Sequence, residues 1–193
     1  MKPEIKIVEE SAKGLADYGR VPISFLVDST LKVEQTASGL GGIRLVEERV
    51  AQPYIKDYDT DDNEGPTRWG RQWDLSNWGI LSAFDGPTRV GGAAIAWKTA
   101  GVNMLEGRDD LAVLWDIRVT PEYRGDGIGR ALFQKSVAWA RERRCVTLKI
   151  ETQNINVRAC RFYAANGCVL GAISTRAYPE YPDETQLLWY LDL

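Results

Sequence analysis

The chain has 193 residues, enough for one domain that buries its own core, and its charge is nearly balanced at a net of −3. No basic run stands out, which argues against nucleic acid as a partner, and no apolar stretch is long enough to span a membrane. Histidine is absent, which removes Ser-His-Asp and Cys-His nucleophile systems and the common histidine metal sites, so no metal is expected.

The start, Met1-Lys2-Pro3-Glu4, lacks the signature of a signal peptide, and a cytoplasmic protein is expected. Residues 2–8 alternate as an edge strand does, 11–18 read as helical, and 42–50 read as a strand. Over 51–74 periodicity is lost and the acids Asp57, Asp59, Asp61, Asp62 and Glu64 crowd together, as in a long loop. Residues 77–84 and 90–99 form a predicted hairpin about Asp85-Gly86-Pro87. A strand over 111–119, a helix over 130–143 and a strand over 146–151 then make one βαβ unit. A short helix after Asn156 and strands over 169–174 and 186–191 complete the chain. Cys145, Cys160 and Cys168 sit in apolar patterns without metal-ligand spacing and read as small buried hydrophobes. The fold expected is a single mixed α/β domain over 1–193, largely antiparallel with one central parallel pair.

The corner of the βαβ unit carries most of the chemistry. It reads Val119-Thr-Pro-Glu-Tyr-Arg124-Gly125-Asp126-Gly127-Ile128-Gly129. Glycines there hold backbone conformations that a Cβ forbids. The first helical N–H groups are unpaired, with the positive end of the helix dipole behind them. Such a corner binds anions, and Arg124 adds a fixed charge. A dinucleotide fingerprint fails because its third glycine would fall on Arg130, and a Walker loop fails for want of Gly-Lys-Ser/Thr. Arg124-Gly125-Asp126 also spells an integrin-binding triplet, a coincidence common in proteins. What fits is Arg-x-x-Gly-x-Gly on Arg124, Gly127 and Gly129. A second block follows as Asn156, Ala159, Phe162, Tyr163 and Gly167.

Together the two blocks resemble the GNAT family of acetyl-CoA-dependent N-acetyltransferases, whose second block reads Asn-x-x-Ala-x-x-Phe-Tyr-x-x-x-Gly-Phe; here Cys168 stands in place of the last Phe. The resemblance covers about 75–193 well, the acetyl-CoA core, and leaves about 1–74 as a variable substrate-side region. It implies a pyrophosphate loop at Arg124, Gly125, Asp126, Gly127, Ile128, Gly129 and Arg130. Pantetheine would pair with the strand backbone at Ile117, Arg118 and Val119, one N–H polarising the thioester carbonyl, and be bounded by Asn154, Asn156, Ala159 and Phe162. Tyr163 would protonate the departing thiolate, unless it is merely a core aromatic beside Phe162. Transfer would be direct, since an acyl-cysteine route lacks a histidine to activate the thiol. A lysine-like acceptor amine costs roughly 4.6 kcal/mol to deprotonate at pH 7, so a carboxylate is expected to help. Asp116 is the first candidate and Glu151 the second, with an Asp116–Arg118 ion pair as the alternative for Asp116.

Trp115-Asp116-Ile117, Glu151-Thr152-Gln153-Asn154, Trp189-Tyr190-Leu191 and Ser24-Phe25-Leu26-Val27-Asp28-Ser29 are similar to the branch of the family that acetylates streptothricin antibiotics. The small-molecule substrate implied is a cationic amine, for which Asp28, Asp116, Glu184 and the 57–64 acids offer an acidic rim; a solvated surface loop is the other reading of that cluster. Other acceptors (a protein N-terminus, a polyamine, an aminoglycoside) and a non-catalytic acetyl-CoA binder stay open. A monomer or homodimer is expected.

Overall fold

The structure is a computed structural model that describes residues 4–60 and 65–193. In chain order the elements are β1 (Ile5–Glu10), α1 (Leu15–Tyr18), β2 (Phe25–Gln35), β3 (Ile43–Lys56), α2 (Pro66–Gln72), β4 (Gly79–Asp85), β5 (Thr88–Trp97), β6 (Leu111–Val119), α3 (Ile128–Glu142), β7 (Thr147–Gln153), α4 (Val157–Ala165), β8 (Val169–Ser174) and β9 (Gln186–Asp192). The fold is mixed α/β, as expected. Packing gathers the chain into two compact units: Met1–Ser24, Asp57–Ile150 and Tyr190–Leu193, and Phe25–Lys56 with Glu151–Trp189.

In the first unit β1, β4, β5 and β6 pair antiparallel in that order, and β6 pairs parallel with β7 from Leu111↔Thr147 to Leu114↔Ile150. β6 continues to Val119 beyond that ladder. α3 buries Ile128, Leu132, Phe133, Ser136, Trp139 and Ala140, a spacing of three and four that makes one stripe. On the opposite face Tyr18, Trp69, Trp78, Ile80, Ala94 and Val113 form an apolar cluster, with Trp73 and Trp115 packed against it. Four tryptophans meet there, Trp73 and Trp115 edge to face at 4.9 Å and Trp78 and Trp115 at 5.5 Å. Gly92 of β5 lies under the Tyr18 ring, where a Cβ would collide with it.

In the second unit β7, β9 and β8 are neighbours in that order, and β2 and β3 form a separate two-stranded sheet. The expected loop over 51–74 is corrected here. β3 runs on to Lys56, a 3₁₀ turn covers Tyr58–Thr60, and α2 starts with Pro66 in its first turn. Periodicity failed because the β2–β3 register breaks between Val27↔Tyr54 and Ser29↔Arg49. Residues 50–53 are looped out of the ladder, and Pro53 belongs in such a break because it has no N–H to donate. The edge strand expected over 2–8 is β1 over Ile5–Glu10; Lys2, Asp61, Asp62 and Glu64 lie outside the described residues.

Candidate active site

The corner after β6 has the conformation its glycines allow. Gly125 and Gly127 hold φ of 96° and 87°, in the left-handed region. An added Cβ at either would meet nothing within 4 Å, so the glycines serve backbone geometry and leave the approach open. The first helical bond of α3 runs from the Ala131 N–H to the Gly127 carbonyl, so the N–H groups of Ile128, Gly129 and Arg130 precede the helical ladder. Asp126, Gly129 and Arg130 are not buried. Arg124 donates through Nε to the Val119 carbonyl at 2.9 Å and through Nη2 to the Ser24 carbonyl at 2.9 Å, which fixes its guanidinium beside the corner. The residues therefore fit a pyrophosphate: open N–H donors, a helix N-terminus and an anchored cation.

The strand itself holds a less legible feature. β5 and β6 pair as Ile95↔Leu114 and Ala94↔Asp116, so Trp115 is an extra residue, a β-bulge. One extra residue exchanges the faces of everything after it. Asp116 and Arg118 therefore stand with Ala94 and Gly92 on the Tyr18 face, while Ile117 and Val119 fall on the other. Asp116 is 7% exposed and Arg118 3%. Arg118 donates to Asp116 through Nε at 2.9 Å and Nη2 at 2.6 Å, to Asp59 through Nη1 at 2.7 Å, and to the Val21 carbonyl at 3.0 Å. The Tyr18 hydroxyl donates to Asp116 Oδ1 at 2.5 Å. Burial alone would lower the pKa of Arg118, but the charge and bonds of Asp116, then Asp59, outweigh it and hold the guanidinium above its ordinary value. Burial first, then the Asp116 charge, raises Tyr18 well above the usual phenol range. Both Asp116 oxygens are thus engaged, and the Asp116–Arg118 pair weighed in the sequence is the arrangement present. Tyr18 gave no sequence signal, and Asp59 stood out only as one of the 57–64 acids and not as a partner of Arg118, because the contacts cross 98 and 59 residues.

The second unit carries the remaining candidates. Asn156 caps α4, its Oδ1 accepting the Ala159 N–H at 3.1 Å. Val157, Cys160 and Tyr163 make the buried face of α4, and Tyr163 meets Phe162 edge to face at 5.3 Å. Asn154 is buried and ties three segments together. Its Nδ2 donates to Thr30 Oγ1 and the Leu31 carbonyl, and its Oδ1 accepts the Thr185 N–H at 2.7 Å. Glu151 accepts a 2.5 Å bond from the Tyr178 hydroxyl. Asp28 and Asn156 line one cleft of about 500 Å³. Glu184 is paired with Lys56 at 2.8 Å, on a lysine whose Nζ also lies 4.0 Å from the Tyr181 ring centroid. No group of acids, cysteines or histidines able to hold a metal occurs among the described residues.

A parallel pair that ends short of its strands, followed by a glycine corner at a helix N-terminus, defines an acyl-CoA-dependent acyltransferase scaffold. Residues 44–168 match the Acetyltransferase (GNAT) family. Streptothricin acetyltransferase A of Bacillus subtilis (strain 168) is 31% identical over 151 residues, 75% of this chain and 76% of that protein. Among solved structures, a nourseothricin acetyltransferase superposes with a TM-score of 0.75 at 25% identity, covering 97% of this chain and 98% of its own. A putative streptothricin acetyltransferase from Bacillus anthracis str. Ames, in complex with acetyl coenzyme A, gives 0.75 and 25% over 98% and 100%. The chain belongs to the GNAT family, as an N-acetyltransferase that uses acetyl-CoA.

Proposed function

We propose that this enzyme acetylates a primary amine of a streptothricin-type antibiotic, the β-lysine amine, and so serves resistance. The observation that carries this reading is likeness along nearly the whole chain to enzymes named for streptothricin and nourseothricin. That likeness includes the β2–β3 hairpin, which lies outside the glycine corner and the Asn156–Gly167 block. When bound, acetyl-CoA supplies an acetyl group activated as a thioester. The N–H groups of Ile128, Gly129 and Arg130, with Arg124, bind pyrophosphate. The backbone of Ile117 and Val119 orients the pantetheine arm as an added strand would, and places an N–H donor for the acyl oxygen. Asn156 holds the same arm, and Tyr163 Oη gives its proton to the leaving sulfur.

For the base, the engagement of Asp116 favours Glu151, acting directly or through water. Asp116 then serves to fix Arg118 and Tyr18, and with them the strand that presents Ile117 and Val119. Mass spectrometry of a streptothricin incubated with enzyme and acetyl-CoA tests the reading. One enzyme-dependent acetyl group mapped to the β-lysine is expected; turnover of other amines but not of streptothricin overturns the substrate and keeps the chemistry.

A further inference from the structure

The cleft that holds Asp28 is more basic than an acidic rim would be. It lies wholly in the second unit, between the β2–β3 hairpin and the start of α4, on a floor that includes the buried Phe25, Ile155 and Val157. Its walls carry two carboxylates, Asp28 and Glu47, against three guanidiniums, Arg49, Arg158 and Arg161. Glu47 is already spent: Oε1 accepts the Ser29 hydroxyl at 2.8 Å and Oε2 pairs with Arg161. That leaves Asp28, Arg49 and Arg158, whose side chains make no ion pair or hydrogen bond among the described residues. The two arginines come from different walls, β3 and α4, and the three side chains together present two positive charges and one negative.

We infer that this cleft binds the body of an acceptor carrying both a cation and oxygen acceptors, with Arg49 and Arg158 as the specificity-determining residues. A bare polyamine would satisfy Asp28 but set ammonium groups against two guanidiniums, a like-charge arrangement that selects against it. A phosphate alone would satisfy the arginines but repel Asp28. A ligand with an ammonium or guanidinium group and carbonyl, carbamoyl or carboxylate oxygens within the same 500 Å³ satisfies all three.

The inference rests on the amine-acetylating reading above, but not on streptothricin being the substrate. The test compares wild type, the double variant Arg49→Gln/Arg158→Gln and Asp28→Asn against streptothricin, spermidine and lysine amide. Both steady-state kinetics and calorimetric binding in the presence of CoA are read. Wild type should prefer the oxygen-bearing amines. In the double variant their KM and Kd should rise by at least about tenfold, the KM for acetyl-CoA should hold, and the preference over spermidine should collapse. Asp28→Asn should weaken every amine. If streptothricin is not acetylated, the proposed substrate falls and the same ratios are read on lysine amide. A wild type that prefers spermidine or binds no amine of the panel, an unchanged preference in the double variant, or a rise in the KM for acetyl-CoA instead, overturns the inference; the last assigns the arginines to the cofactor's phosphates.

Discussion

Asp116→Asn separates a structural acid from a base. The substitution keeps the shape and an acceptor for Tyr18 but removes the charge opposite Arg118, whose side chain is 1% exposed. Removing one member of a buried pair costs about 3–5 kcal/mol because the other charge is left uncompensated. Arg118 keeps Asp59 at 2.7 Å and the Val21 carbonyl, which points to the lower end, about 3 kcal/mol. For a chain of this size that lowers Tm by about 6–12 °C. Urea and thermal unfolding read this directly. Acetyl transfer at saturating substrates, measured well below the new midpoint, should stay within about tenfold of wild type, with the acid limb of its pH profile in place. A variant of unaltered stability whose turnover falls by about a hundredfold or more, and whose acid limb disappears, would refute the structural role and return the proton to Asp116.

Tyr163→Phe keeps the buried ring against Phe162; stability should hold while kcat falls by about a hundredfold, as stopped assays at saturating substrates will show. Gly127→Ala meets no clash but must hold φ at 87°, so it should lose about 1–2 kcal/mol of stability and raise the KM for acetyl-CoA in initial-rate assays. Gly92→Ala drives a methyl into the Tyr18 ring, and a loss of about 1–3 kcal/mol in urea unfolding is expected. Burial pushes the Cys168 thiol from 9.0 up to about 11. The unfolded chain therefore releases that proton first, and the contribution is complete below the ordinary value and lost as pH rises through the folded one. Unfolding midpoints should fall between those two values and fall less in Cys168→Ala, while thiol labelling of the native protein at pH 8 should be slow.

The parts of the fold that could be read from the sequence are those with local causes. The strand over 111–119 and the glycine corner were legible because an apolar run, positive-φ glycines and a periodic helix follow one another directly. α3 begins at Ile128 rather than at the expected residue 130, since Gly127 caps it from outside. The short helix after Asn156 was legible for the same reason, though not the cap that Asn156 makes for it. What escaped depended on distant partners. Nothing near Asp116 says that Trp115 is a bulge; only the β5 register shows it, and without it Asp116 and Arg118 would face α3. The end of β3 was lost because Pro53 is acceptable only where the ladder with β2 is already broken. Asp28 was picked out as an acid, but Arg49 and Arg158, which set the charge of its cleft, are ordinary surface arginines until the hairpin and α4 are placed.

The chain threads its two units discontinuously: β2 and β3 belong to the unit finished by Glu151–Trp189, while Tyr190–Leu193 returns to the other. During synthesis, which delivers the N-terminus first, neither unit can be completed from a contiguous stretch of nascent chain. The Leu193 N–H closes on the Val146 carbonyl at 3.0 Å, so the first unit is complete only once Tyr190–Leu193 have joined it. Emergence of residues 190–193, rather than of the glycine corner, thus times the appearance of a finished first unit. A tether that holds Tyr190–Leu193 inside the exit tunnel should leave that unit protease-sensitive.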